Sequence, residues 1–201
     1  MPFLVKLSIA LFSDNDPQDK DKAQVNPRDG KWTMQDRARK ELYFNDGKKL
    51  EHWGLLDLTN CDDQSFVNAL YDEGRKRGLS IEFPVVKKSN DRSLEKDFVT
   101  LFNELAKKRK PDMIMVIVWG KESYIYAMIK TMGDTIYKIP TQVILKKNTM
   151  IGPKSPQTIH NICLKLNAKL GGVNQIIHPC SKPEILKRPV SLVSGYALTA
   201  T

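Results

Sequence analysis

Apolar residues recur along the chain in two rhythms. Near the start, Phe3, Val5, Leu7, Ile9 and Leu11 fall on every second position, as in a strand. Lys6 interrupts this run and no small-residue cleavage site follows, so it does not read as a secretion signal. Residues 13–50 are polar and turn-rich (Asp14 to Pro17, Asn26-Pro27, Asp29-Gly30, Asn45 to Gly47) and read as an irregular arm with room for a hairpin. From residue 51 strands and helices alternate. His52–Leu58 reads as a short strand, and Asn60 as the cap of a helix that buries Phe66, Ala69 and Leu70 and closes at Gly78. Leu79–Phe83 reads as the next strand. Leu94, Phe98, Leu101, Phe102 and Leu105 then share one helical face.

Met113 to Trp119 is an unbroken apolar run of seven, which suits a parallel strand covered on both sides. A helix follows with Ile125, Met128, Ile129 and Met132 inward, then a strand over Ile139–Leu145. Ser155 can cap the last helix, with Pro156 at its first position and Gly171 past its end. Its buried stripe is Ile159, Ile162, Cys163, Leu166 and Leu170. Strands alternating with helices in this way predict an α/β fold, a Rossmann-like open and mainly parallel sheet with helices on both faces.

Charge changes the picture in the second half. The formal net charge is +9 over 201 residues, but residues 121–201 hold 11 Lys+Arg against three acids. That imbalance points to a polyanionic partner, or else to a solvated basic surface. The run Lys107 to Lys110 is denser, yet it stands where a helix should end, and cations there favour the helix dipole. Three cysteines, Cys61, Cys163 and Cys180, cannot pair completely and show no CxxC spacing, which fits reduced thiols in the cytosol or nucleus.

Sheets of this kind take ligands at the carboxyl ends of their strands, and the strand ending at Trp119 runs through Gly120 to Ser123 into a helix. This is a candidate phosphate site, although no GxGxxG or P-loop motif is present. Enzymatic candidates are thin. His52, His160 and His178 lack metal spacing, no GxSxG occurs, and Cys163 reads as a small core residue. Lys165 and Lys169 lie about 40° apart on one helical face, bordering the buried stripe. Tyr126 and Lys130 stand in the same i, i+4 relation on the preceding helix. Each pair alone suits lysines snorkelling from the edge of a core. If the helices are neighbours, the ammonium groups and the ring converge into a site for a 5′-terminal nucleotide, its base stacked and its phosphate among lysines.

Gly133-Asp134-Thr135, Ile139 to Gln142, Lys147-Asn148, Ser155 to Thr158 and Asn161 to Asn174 follow one another in an order and spacing that strongly resembles the Mid domain of eukaryotic Argonaute proteins. The likeness is dense over about 55 residues, looser over 51–120, and Gly30 to Met34 resembles the linker before Mid. It implies a linker-like arm over 1–50, a Mid domain over 51–180 and the start of a Piwi-like segment over 181–201. It also implies a small-RNA-binding module that anchors the 5′-monophosphorylated nucleotide of a guide RNA in silencing. Tyr126 would stack on the first base, and Lys130, Gln142, Lys165 and Lys169 would grip the phosphate. Gly120, Lys121, Glu122, Ser123, Tyr124 and Ile125 correspond to the loop that reads the first base, one residue longer than the family pattern.

Pro189 to Val193 resembles the first strand of the Piwi nuclease, but Tyr196 falls where its first catalytic aspartate is expected, and the other catalytic carboxylates are not found. The resemblance therefore implies a chain that does not cleave RNA and needs no metal or cofactor, working in the cytoplasm or the nucleus. Its expected partners are single-stranded small RNA with a 5′-monophosphate and Argonaute-associated proteins, with no DNA and no membrane. The alternatives are a non-catalytic interaction fragment competing for Argonaute partners, and an enzyme acting on small phosphorylated ligands.

Overall fold

The computed structural model describes residues 9–10, 24–25, 43–60, 63–150 and 155–177. Its elements are β1 (Ile9–Ala10), β2 (Gln24–Val25), β3 (Lys49–Leu50), β4 (Trp53–Asp57), α1 (Asp63–Lys76), β5 (Ser80–Ile81), β6 (Val85–Lys88), α2 (Leu94–Ala106), β7 (Met113–Val118), α3 (Ser123–Lys130), β8 (Thr141–Leu145), α4 (Ser155–Lys169) and β9 (Ile176–Ile177). The main sheet runs β6-β4-β7-β8, and all its neighbours are parallel.

The uninterrupted apolar run of β7 splits cleanly between two cores. Met113, Met115 and Ile117 face α1 and α4, packing with Phe66, Leu70, Ile162 and Cys163. Ile114, Val116 and Val118 face α2 and α3, packing with Phe98, Leu101 and Ile129. Because successive strand residues point to opposite faces, a strand covered on both sides must be apolar throughout. The expected α/β architecture, with helices on both faces, is therefore the one observed. Cys163 is fully buried, and burial pushes its thiol up to about 12, as suits an inert core residue.

Three local readings change. Leu79–Phe83 does not join the main sheet. Only Ser80–Ile81 is strand, paired parallel with Lys49–Leu50, and the edge of the main sheet is the unanticipated β6. β6 escaped notice because its four residues, half of them lysine, are exposed or half-exposed and carry no alternation. Asn60 does not begin α1; it turns the chain in the left-handed conformation (φ 47°), three residues before the helix starts.

Most of the arm lies outside the described residues, as does the whole of 181–201, including Tyr196. The arm's final stretch is part of the fold, since Phe44 and Leu50 are buried in the core. A clamp on α4 fixes it: the fully buried Asn167 accepts from the Lys48 backbone N–H (2.9 Å) and donates to the Asp46 carbonyl (3.1 Å) and to Asn174 Oδ1 (2.9 Å). Every hydrogen-bonding atom of that amide is satisfied, which a buried polar side chain requires. A second polar junction joins α1 to α4. Arg77 donates from Nε to Glu73 Oε1 (2.8 Å), and His160 Nδ1 lies 3.2 Å from the same oxygen. Burial pushes the Glu73 carboxyl up, but the hydrogen bonds to His160 and Arg77 outweigh it and hold it below the usual carboxylate range.

Candidate nucleic-acid interface

β8 is an edge strand among the described residues, so one side of its backbone has no ladder partner there. Ile114 N–H donates to the Pro140 carbonyl (3.1 Å), and the alternation of a parallel ladder then turns the next carbonyl, that of Thr141, outward. Two lysines take it. Lys169 Nζ donates to Thr141 O at 2.6 Å, and Lys130 Nζ reaches the same oxygen at 3.3 Å and Thr141 Oγ1 at 3.0 Å.

The helices explain why they meet. Lys169 ends α4, at the negative end of its helix dipole, and Lys130 ends α3 where it passes into a π-helical turn. Both helices run against the strands, so their last turns come down where β8 begins. Gly133 makes the approach possible. It follows α3 in a seven-residue π-turn (Thr131–Tyr137), and a Cβ there would overlap the Thr141 side chain.

The ammonium groups share a neutral acceptor and repel each other. Burial, then the charges of Lys130 and Lys165, lower the Lys169 ammonium to about 8, with Asp134 pulling the other way. Lys130, Asp134, Lys138, Pro140, Thr141 and Lys169 line a cleft of about 410 Å³. Such a cluster of cations is electrostatically incomplete and is suited to an anion.

The sequence-predicted site residues are thus only partly gathered. Lys130 and Lys169 are in contact with one atom, and Lys165, exposed and one turn before Lys169, is near enough to lower its pKa. Tyr126 stands one turn before Lys130 with its ring exposed. Gln142 is buried on the strand itself. Its Nε2 donates to the Val143 carbonyl (2.9 Å), and its Oε1 is buried without a hydrogen-bond partner.

The Gly120–Ile125 loop is at the other end. Gly120, Lys121, Glu122, Ser123 and Ile125 line, with Val118, Tyr126, Val143 and Leu145, a largely apolar hollow of about 390 Å³; Tyr124 does not line it and is exposed. The two phosphate sites read from the sequence are thus separate places: the Gly120 loop lies at the carboxyl end of β7, and Lys130 and Lys169 meet at the opposite end of the sheet, where β8 begins. Thr141, which positions both lysines, was missed; as a lone threonine opening a strand it gave no signal. Among the described residues no group of His, Cys, Asp and Glu could hold a metal ion, and no helix is long and apolar enough to cross a membrane.

A family model described as Piwi domain matches residues 113–195. Among solved structures, the chain is similar to Drosophila Piwi, with a TM-score of 0.64 and 22% identity over 86% of this chain and 23% of that one. It is similar to the MID-PIWI domains of N. crassa QDE-2, with a TM-score of 0.59 and 21% identity over 78% and 46% of the two chains. The MID domain of Arabidopsis thaliana AGO5 matches with a TM-score of 0.53 and 22% identity, over 65% of this chain and 95% of that domain. The chain spans less than a quarter of the length of Drosophila Piwi. The Argonaute resemblance thus holds for the fold, which is that of the Mid region, and for the run of sequence that enters the Piwi family model.

Proposed function

We propose that this chain anchors the 5′-monophosphorylated end of a single-stranded small RNA, as the guide-holding module of an Argonaute in RNA silencing. One observation carries the reading: Lys130 and Lys169 converge on the outward carbonyl of Thr141, with Lys165 close enough to be felt. A phosphate monoester brings about 1.5 to 2 negative charges and three acceptor oxygens. It would relieve the repulsion and accept charge-assisted hydrogen bonds worth about 1.5–3 kcal/mol each. The exposed Tyr126 ring, one helical turn toward the apolar hollow, would take the first base by stacking. Gln142 would contribute by turning its amide from Val143 toward the phosphate. Cations dominate the lining of the lysine cleft, with Asp134 its one carboxylate, which suits holding a phosphate.

The test compares one short RNA carrying a 5′-monophosphate with the same RNA carrying a 5′-hydroxyl, at a fixed, stated salt concentration, because nonspecific phosphate contacts are themselves salt-sensitive. The expected result is at least about tenfold preference for the phosphate, abolished in the double variant Lys165→Gln, Lys169→Gln. Equal binding of both RNAs by the unmodified chain would overturn the proposal.

A further inference from the structure

The three tryptophans of this chain include two in described positions, and these are treated in opposite ways. Trp53 is fully buried and its indole N–H donates to the Glu82 carbonyl (2.7 Å). Trp119, directly after β7, is 57% exposed. It is not bare, however: the Lys146 ammonium sits 3.7 Å from the ring centroid, over one face. The β7–β8 register explains the pairing. Val118 opposes Leu145, so the next residues, Trp119 and Lys146, emerge side by side as the two strands end. Lys121 and Lys147 are exposed on the flanking turns, against one exposed carboxylate there, Glu122.

We infer that Trp119 and Lys146 form a second nucleic-acid contact, a stacking platform for a base of single-stranded RNA downstream of the nucleotide held at the lysine cleft. The open face of the indole takes the base, and Lys146 and Lys147 face its phosphates. An aromatic ring in a basic surface is the usual composition of a single-strand platform, and stacking of this kind tolerates any base. Position supplies the rest. Thr141 and Lys146 stand at opposite ends of β8, about 16 Å apart at the rise of a strand. That is beyond one nucleotide and within about five stacked steps of 3.4 Å. The path between them follows α3 from Lys130 past Tyr126 to the loop that begins at Gly120.

The inference rests on the 5′-end reading for the direction of the strand but not for the contact itself, and the experiment separates the two. Full-length chain is titrated with a nucleoside 5′-monophosphate and with an eight-nucleotide RNA carrying either a 5′-monophosphate or a 5′-hydroxyl. Trp119→Ala is expected to weaken both eight-nucleotide RNAs about tenfold and to leave the mononucleotide unchanged. Trp119→Phe, which keeps a ring, should retain most of the affinity, and matching thermal melts would show that the fold is intact. If Trp119→Ala binds the eight-nucleotide RNAs as well as the unmodified chain does, the inference is overturned. It is equally overturned if the mononucleotide weakens as much as the longer RNAs, which would put Trp119 in the first-nucleotide site. Loss of the 5′-phosphate preference in the unmodified chain, with the Trp119→Ala effect intact, would remove the anchor and keep the platform.

Discussion

Lys169 ends α4 with its ammonium partly withdrawn from water and next to two other lysines, and its pKa of about 8 records that strain. The sign follows from linkage. An unfolded lysine titrates near 10.5, so the folded chain binds fewer protons between about pH 8 and 10.5 and gains stability as pH rises through that interval. Below it, holding the charge works against the fold. A bound phosphate would reverse the balance, because it favours the charged ammonium. The 5′-phosphate preference is therefore expected to decline as pH rises above about 8, measured by fluorescence anisotropy at constant ionic strength, while 5′-hydroxyl RNA changes little. Toward acid, the phosphate's own second ionisation near pH 6 sets the other limit. Lys130, Lys165 and Lys169 were legible as borders of apolar stripes, whereas Gln142 was legible only through a family likeness. Nothing in the residue pattern marks a buried glutamine whose Oε1 lacks a partner.

Among elements, the junction of α1 with α4 is the most exacting. Arg77 is 5% exposed and leans on Glu73, which His160 also contacts. Removing one member of a buried ion pair takes that compensation away from its partner's charge. Glu73→Ala is expected to cost about 3 kcal/mol, read as a lower denaturant midpoint with an unchanged slope. Since the Glu73 carboxyl is held below its ordinary 4.5, its contribution is present above that pH and is lost as pH falls through the lowered value. The helices themselves were readable because one-sided burial imposes a 3.6-residue period, clear in Phe98, Leu101 and Leu105. β6 was not, since an edge strand with two lysines among its four residues buries too little to impose any period. The lysine cleft was legible only on the condition that the two helices are neighbours. Its location depends on where the last turns of two helices on opposite faces of the sheet land against β8, and stripes on separate helices do not encode that.

At the scale of the whole molecule, the cleft has a second consequence, because the strand it occupies is also a border of the sheet among the described residues. An open strand border invites another chain to extend the ladder, and lysines are one of the devices that prevent it. Here Lys130 and Lys169 cover the first outward carbonyl of β8 and place two like charges beside it. A second copy approaching along β8 would meet its own cations. Neutralising both lysines would then uncover a pairing edge as well as an anion site. The double variant Lys130→Met, Lys169→Met is expected to shift toward larger species than the unmodified chain in sedimentation velocity at equal concentration, and an unchanged distribution would count against this. The two ammonium groups would so act as a guard against strand pairing at that edge until a ligand takes over the post.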